Sequence, residues 1–373
     1  INRLPVVIYF ILIFAALMVI ISAVAPMSNH EPKTTDTYSD FSTGWLNCEE
    51  SEASLDHLSG TTVIHRTITA ADCNKTLFFF AKTSNIKVFI DGVCQYRNKH
   101  FCSQFFGKTP GALFVNVLIP AESDGKLLEI EIENPYKDDD SAKLDEMYIG
   151  DISDIIQFQQ QKRFNSFCIS FIIMVLGVVM LLLFIPLTRQ KIVGIEFLNL
   201  GFTAFVAGLF LTTDGRYLQL VFGDAHIYHV IAETAMRLAI PPFLIFLSQM
   251  YDIYSKRIST ILCVIGEIAF AGCFIGEITE IMDYHETLFL VHVVFAISML
   301  FILVSTIKGI VKAPKENIYH NIGCIVLSFM AMTDIIILWR GTGRETSYFI
   351  RLGILIFFFM EIVQIMKKFL ASY

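Results

Sequence analysis

Long apolar runs recur along the chain and are separated by short polar segments. A transmembrane helix needs roughly 20 mostly apolar residues, and the first segment that meets this requirement is 4–25. A long polar stretch follows, and then come seven further apolar segments, at 164–187, 192–213, 225–250, 258–278, 286–307, 318–339 and 348–366. The pattern predicts a protein that crosses a lipid bilayer in serial passes and carries one water-facing domain.

The polar stretch has the period of β-strands. Apolar residues alternate with glutamates in residues 126–133, which is typical of an antiparallel strand with one face in water. Asp91-Gly92 separates two apolar runs and predicts a two-residue hairpin turn. Further strands are predicted at 75–82, 86–90 and 112–119. Several short strands joined by turns indicate a β-sandwich over residues 28–150.

Residues 151–163 change to a helical period, with Ile152, Ile155 and Ile156 on one stripe. We therefore expect a short connecting helix between the sandwich and a seven-helix domain over residues 164–370. A stiff connection that transmits movement and a simple tether both fit this pattern.

Residues 1–27 form either an anchor helix or a signal segment. Ala23-Val24-Ala25 has the small residues of a cleavage site, but Pro26 would follow the cut directly. The apolar run is also longer than the 7–15 residues that are typical of a signal peptide. We expect an uncleaved anchor helix.

Lysine and arginine favour cytoplasmic loops, and their distribution predicts the orientation. Nine of them lie on the loops that share a side with the C-terminus, against three on the opposite loops, namely Arg216, Arg340 and Arg344. We expect a multi-pass protein of the cell membrane with residues 28–163 extracellular and the C-terminus cytoplasmic, where residues 371–373 begin the tail.

Composition agrees with a membrane protein. Hydrophobic residues make up 54% of the chain and charged residues 17%, whereas a soluble domain carries roughly 25% charge. The formal net charge of −7 argues against a nucleic-acid partner. Residues 28–163 hold 21 acidic and 13 basic side chains, so the acidic excess belongs to the water-facing domain.

Several ionisable residues fall within the predicted spans, where each costs about 2.5–3.5 kcal/mol on insertion scales. Glu233 and Arg237 are four residues apart on one helix face and are expected to pair. Asp334 and Arg351 lie toward the outer ends of successive spans and are a second expected pair. Glu361, near the inner end, is expected to extend toward the interface. These groups serve either as links between helices or as a ligand or proton site.

Motifs for catalysis and metal binding are absent from the sequence. It contains no HExxH, GxSxG or GxxxxGK[ST] motif and no CxxC spacing among its 8 cysteines. We therefore expect no catalytic residue, no cofactor and no metal site. The last span has no internal lysine, which excludes a retinal Schiff base.

The order of the parts resembles that of the bacterial seven-transmembrane receptors with diverse intracellular signalling modules. The segments that carry the resemblance are FSTGWL at 41–46, VFIDGV at 88–93, KLLEIEIENPY at 126–136 and YIG at 148–150. They are similar to a subgroup with an extracellular galactose-binding-like jelly roll and a C-terminal GGDEF-type diguanylate cyclase. The resemblance implies a carbohydrate or similar small ligand and a cyclic di-GMP output, although this chain contains no GGDEF sequence.

A heptad-like stripe at the end of the chain is the basis for expecting a homodimer. Ile362, Met366, Phe369 and Tyr373 step by four, three and four residues, although packing within the bundle gives the same spacing. In a dimeric receptor such a helix would drive a cytoplasmic module.

The leading hypothesis is a sensory receptor that binds its ligand on the sandwich or in the outer mouth of the bundle. Candidate ligand contacts are aromatic residues whose rings stack on sugars, namely Trp45, Tyr96, Phe105 and Phe106; packing within the sandwich is the alternative for each. A transporter or channel with an extracellular capture domain is the second hypothesis. A carbohydrate-processing enzyme ranks last, because Glu129, Glu131 and Glu133 lie along one strand face instead of flanking a cleft.

Overall fold

The computed structural model describes residues 37–98, 110–136, 142–190, 194–313, 317–339 and 347–371. The predicted anchor or signal segment at 1–27 lies outside the described residues. So do Phe105, Phe106 and the last residue of the C-terminal stripe, Tyr373.

The described part of the N-terminal region is a sandwich of two antiparallel sheets, as the sequence predicts. Its strands are β1 (Tyr38–Asp40), β2 (Leu46–Asn47), β3 (Thr61–Thr67), β4 (Thr76–Lys82), β5 (Asn85–Ile90), β6 (Val93–Arg97), β7 (Ala112–Leu118), β8 (Leu127–Glu133) and β9 (Lys143–Gly150). One sheet has the order β1-β9-β4-β7 and the other has the order β2-β3-β8-β5-β6. The apolar core lies between the two sheets.

In strand β8 the alternation of apolar residues and glutamates in the sequence matches the alternation of buried and more exposed side chains. Leu128, Ile130 and Ile132 are at most 1% exposed and face the core. On the opposite face, Glu131 accepts a hydrogen bond of 2.6 Å from the Lys87 ammonium on the neighbouring β5. The Asp91-Gly92 turn between β5 and β6 has positive φ at both residues, 51° and 75°, which a type I′ hairpin requires.

Seven helical segments of the described chain are long and apolar enough to cross a membrane, which agrees with the seven spans predicted after the sandwich. The helices are α1 (Ile152–Arg189), α2 (Ile195–Asp214), α3 (Tyr217–Phe222), α4 (Ala225–Leu238), α5 (Ile240–Met250), α6 (Lys256–Ile278), α7 (Leu288–Lys312), α8 (Ile318–Trp339) and α9 (Tyr348–Ala371). The predicted connecting helix and the first span form one continuous helix, α1.

The third span is divided into α4 and α5. Pro241 and Pro242 occupy the first turn of α5 and lack the backbone N–H groups that would continue the ladder of α4. The break therefore follows directly from the Pro-Pro sequence.

Helices α1 and α2 pack closely because glycines lie at their contact. A Cβ atom on Gly177 of α1 would lie 2.2 Å from the backbone nitrogen of Phe205, and one on Gly208 of α2 would lie 2.3 Å from the backbone nitrogen of Met174. Small residues allow such close backbone approach between membrane helices.

The sandwich rests on one end of the helix bundle. The Arg216 guanidinium, between α2 and α3, lies 4.0 Å from the ring centre of Phe80 on β4. The Tyr136 hydroxyl donates a hydrogen bond to the Asp283 carboxylate between α6 and α7, and the Tyr136 ring stacks on His285 at 4.4 Å. We call this end of the bundle the sandwich side and the opposite end the far side.

The sandwich is also joined to α1 through a single residue, Asp151. Its side chain caps the helix by accepting a hydrogen bond of 2.7 Å from the Ser153 amide. Four residues before the end of β9, the Glu146 carboxylate accepts hydrogen bonds of 2.9 and 2.7 Å from the buried Arg163 guanidinium. Lys162 donates a third bond to the same carboxylate at 2.8 Å.

A candidate ligand cavity between the sandwich and the helix bundle

A cavity of about 280 Å³ lies under the sandwich and extends into the helix bundle. Its roof is formed by residues of the β4–β5 turn and the start of β7, namely Lys82, Thr83, Gly111 and Ala112. Gly111 has a φ of +78°, and a Cβ atom there would lie 2.9 Å from the Cβ atom of His229 on α4. A glycine at this position therefore lets the sandwich backbone close the cavity against α4.

The deep part of the cavity is apolar. Its walls come from five helices, α2, α5, α7, α8 and α9, and the main side chains are Ala207, Phe210, Ile240, Phe243, Phe295, Met299, Leu327, Ala331, Ile354, Phe357 and Phe358. Ala239, at the break between α4 and α5, also lines the wall. Such a surface favours the hydrocarbon part of a ligand.

The sandwich-side mouth of the cavity is polar. It is lined by acidic, basic, imidazole and hydroxyl groups, among them Lys82, Asp214, Arg216, His229, Glu233, His285, His292, Asp334 and Ser347. The Ser347 hydroxyl donates to the Asp214 carboxylate at 2.9 Å, which fixes the beginning of α9 against the end of α2. A molecule with one polar end and an apolar body matches this division.

His229 is the mouth residue best placed to bind a polar group. Its Nε2 atom is buried and has no hydrogen-bond partner within the part of the chain that the structure describes. A buried polar atom without a partner is costly, and a ligand hydroxyl or carboxyl group in the cavity would supply one. His229 is not among the residues predicted from the sequence, although a histidine near the end of a predicted span was a visible signal.

Glu233 and Arg237 form the ion pair that their spacing predicts. The Arg237 guanidinium contacts the Glu233 carboxylate and also donates to the Tyr284 carbonyl at 2.9 Å. Its carbon centre lies 4.1 Å from the Tyr284 ring centre. The pair therefore links α4 to the loop before α7, while Glu233 lines the cavity mouth.

The structure places Asp334 and Arg351 on the sandwich side, as expected. The Asp334 carboxylate accepts hydrogen bonds from the backbone amides of Ile350, at 2.6 Å, and Phe349, at 3.3 Å. The Arg351 Nε atom donates to the Ser170 hydroxyl on α1 at 2.8 Å. Asp334 thus caps the start of α9, and Arg351 ties α9 to α1; a direct ion pair between the two stays a prediction.

Glu361 differs from the sequence expectation. Instead of extending toward the interface, its side chain is fully buried on the far side of the bundle. Its carboxylate contacts His320 Nδ1 and accepts a hydrogen bond of 2.6 Å from the Tyr251 hydroxyl. The buried partners explain the difference, because a carboxylate that is hydrogen-bonded inside the bundle does not need the interface. Signals for the partners were present in the sequence, since His320 lies within a predicted span.

The aromatic candidates on the sandwich have different positions. Trp45 is 1% exposed and its indole donates to the Phe41 carbonyl at 2.8 Å, so it is a core residue and offers no ring face to a sugar. Tyr96 on β6 is half-buried and packs on the edge of the core. Phe105 and Phe106 lie outside the described residues.

Comparisons of the chain with protein-family models, with curated proteins and with solved structures find no match. Function is therefore inferred from the residues and from the geometry of the cavity.

Proposed function

We propose that the protein is a membrane receptor that binds a small amphipathic ligand in the cavity between the sandwich and the helix bundle. The observation that carries this proposal is that the cavity is bounded both by the sandwich and by the last helix. Residues of the sandwich form its roof, and Ile354 and Phe357 of the last helix form part of its wall. A bound molecule therefore contacts both the water-facing domain and the helix that leads away from it.

The chemistry of the lining supports the ligand class. The volume of about 280 Å³ lies just below the 300–1,000 Å³ that is usual for small-molecule sites, which favours a compact ligand. Its apolar body would lie among Phe243, Phe357 and their neighbours, and its polar end would meet His229.

Signalling requires that the ligand bind two states of the receptor with different affinities, because equal affinity shifts nothing. Phe357 and Phe358 line the cavity about one helical turn before Glu361. Glu361 in turn contacts His320 on α8 and Tyr251 at the end of α5. A ligand that displaces Phe357 would therefore act on contacts that position the far-side end of α9.

The remaining expectations are part of the same proposal. The sandwich is proposed to be an extracellular galactose-binding-like jelly roll, and the receptor is proposed to act as a homodimer that drives a diguanylate cyclase. The jelly roll and the cyclase rest on the resemblance to the seven-transmembrane receptor family, and the homodimer rests on the heptad-like stripe near the end of the chain.

One observation favours a transporter as the second candidate. The helix break at Ala239 borders the cavity, and broken helices at mid-membrane sites are common in transporters. Uptake of the bound probe into sealed vesicles would distinguish this function from the receptor.

Cavity-filling variants test the receptor. We expect medium-chain fatty acids or fatty alcohols to raise the melting temperature of the full chain in nanodiscs, and Ala331→Leu or Ala207→Leu to reduce this shift severalfold. Ala271→Leu is the matched control, because Ala271 is exposed on α6 away from the cavity. Galactose is the parallel probe for a ligand site on the sandwich.

Spin labels test for signal transmission. They are placed at Arg257 and Lys367, both exposed on the far side, after replacement of the exposed Cys48 and Cys94 with serine. A receptor predicts that the bound probe changes the distance between the labels in the wild-type chain but not in Ala331→Leu. Binding without any change of distance would contradict the proposal.

A further inference from the structure

We propose that His320, Cys324 and Glu361 bind one zinc ion within the bundle, on the far side from the sandwich. All three side chains are buried, and their ligating atoms lie within 4.8 Å of one another. His320 and Cys324 are four residues apart on α8 and share one face of the helix, and Glu361 faces them from α9. The inference does not depend on the ligand cavity or on the receptor function.

The donor set matches zinc better than other common ions. Imidazole nitrogen, thiolate sulfur and carboxylate oxygen are the three ligand types of protein zinc sites, whereas Mg²⁺ and Ca²⁺ select oxygen ligands. The Cys324 Sγ atom lies 3.8 Å from His320 Nδ1. Zinc bonds of tetrahedral geometry separate a sulfur and a nitrogen ligand by roughly 3.5 Å, so this edge of the site needs little adjustment.

The edge between His320 and Glu361 needs more adjustment. His320 Nδ1 and Glu361 Oε1 are in direct hydrogen-bonding contact, and a zinc ion between them would separate the two atoms to roughly 3.3 Å. The ion would replace the proton of this contact. Rotation of the Glu361 side chain, whose other oxygen is held by Tyr251, would provide the space.

Charge is the strongest argument for zinc at this depth. Binding releases the thiol proton of Cys324 and the proton shared by His320 and Glu361, so a thiolate, a carboxylate and a neutral imidazole surround the ion. The two negative charges cancel the two positive charges of zinc. An electrically neutral site avoids most of the cost of placing charge in the apolar interior of a membrane protein.

The neighbouring groups hold the ligands as a zinc site requires. The Tyr251 hydroxyl donates to Glu361 Oε2 at 2.6 Å. The Tyr254 hydroxyl lies 2.9 Å from His320 Nε2 and 2.9 Å from the Thr306 hydroxyl. These bonds hold the outer atoms of the histidine and the carboxylate and leave Nδ1 and Oε1 for the ion, which is the arrangement that orients such ligands in metal sites. The Tyr254 hydroxyl also donates to the Cys324 sulfur at 3.4 Å, a bond that a thiolate bound to the ion can keep accepting.

Metal analysis of the full chain in nanodiscs tests the proposal. We expect about one zinc per chain after purification without chelator. Replacement of zinc by Co²⁺ should produce the charge-transfer absorption of a cobalt–thiolate bond, which requires Cys324. Less than about a tenth of an equivalent after incubation with zinc, together with no such absorption, would overturn the proposal.

Variants distinguish this site from adventitious metal. Cys324→Ser should lose the cobalt absorption and most of the zinc, whereas Cys273→Ser should keep both, because Cys273 is equally buried but packs against Tyr284 and Val291 on the sandwich side. Tyr254→Phe should weaken zinc binding by about 10–100-fold. Equal metal content in Cys324→Ser and Cys273→Ser would contradict the site. If Cys324→Ser does not fold, the cobalt spectrum of the wild-type chain decides the question.

Discussion

At the scale of single residues, Glu146 shows how one side chain joins the two domains. It has a φ of +53°, an uncommon conformation for a residue with a side chain, and the register of β9 against β4 shifts beside it, between Phe78 and Phe80. The bulge turns the carboxylate toward Arg163, which is 2% exposed. Burial opposes ionisation of Glu146, but the charges of Arg163 and Lys162 outweigh it and hold the pKa of Glu146 below its usual value.

This pKa predicts how stability depends on pH. Because the folded-state pKa of Glu146 lies below the unfolded value of about 4.5, its contribution is complete above that pH and is lost as the pH falls through the folded-state pKa. At neutral pH we expect Glu146→Gln to lower the free energy of unfolding by about 2 kcal/mol, and we expect this difference to shrink in acid. Thermal melting followed by tryptophan fluorescence measures it.

The exposed Glu133→Gln variant on β8 is the control for this experiment. It should leave the melting temperature unchanged at both pH values. A Glu146→Gln difference that stays constant from neutral to acidic pH would show that the carboxylate charge contributes nothing.

At the scale of elements, the sequence predicts those strands in which one face is buried along the whole length. Strand β8 has one buried face throughout, so its alternation is visible. Strand β9 was missed because the bulge at Glu146 interrupts its period, and its buried residues Leu144, Met147 and Ile149 are unevenly spaced. Strand β3 was missed because Ile64 alone among its seven residues is buried.

The contact between α1 and α2 gives a prediction at the same scale. Gly208→Ala should destabilise the bundle by about 1–3 kcal/mol, because the added Cβ atom would lie 2.3 Å from the Met174 backbone. Gly272→Ala is the matched control in α6, where a Cβ atom meets nothing within 4 Å; it should be neutral or slightly stabilising, since alanine favours helix more than glycine does. Thermal unfolding in nanodiscs compares the two, and equal effects would exclude close packing as the cause.

At the scale of the whole molecule, the seven membrane-length helices of the described residues were predictable, but the cavity was not. Apolar length alone identifies each span. The cavity instead brings together β4, β7 and five of these segments, whose relative positions depend on packing that no local pattern encodes. The Glu233–Arg237 pair was predictable because both residues lie on one helix, whereas the contact between His320 and Glu361 joins residues 41 positions apart.

The orientation of the whole molecule is a further prediction. The structure places the sandwich at the bundle end that carries Arg216 and Asp283, and the lysine and arginine bias predicts that this end is extracellular. A reporter enzyme that is active only outside the cell should be active when fused after Gly150 and inactive when fused after Lys368. The reverse result would contradict the orientation.

Helix α1 also determines where the sandwich can be separated from the helix bundle. Its 38 residues measure about 57 Å at 1.5 Å per residue, roughly twice the thickness of the hydrocarbon core of a bilayer. Its first three turns belong to the sandwich through Arg163 and through Phe158, which packs on Tyr38 and Tyr148. A fragment that ends at Gly150 would lack both contacts, whereas one that continues through Arg163 would retain them.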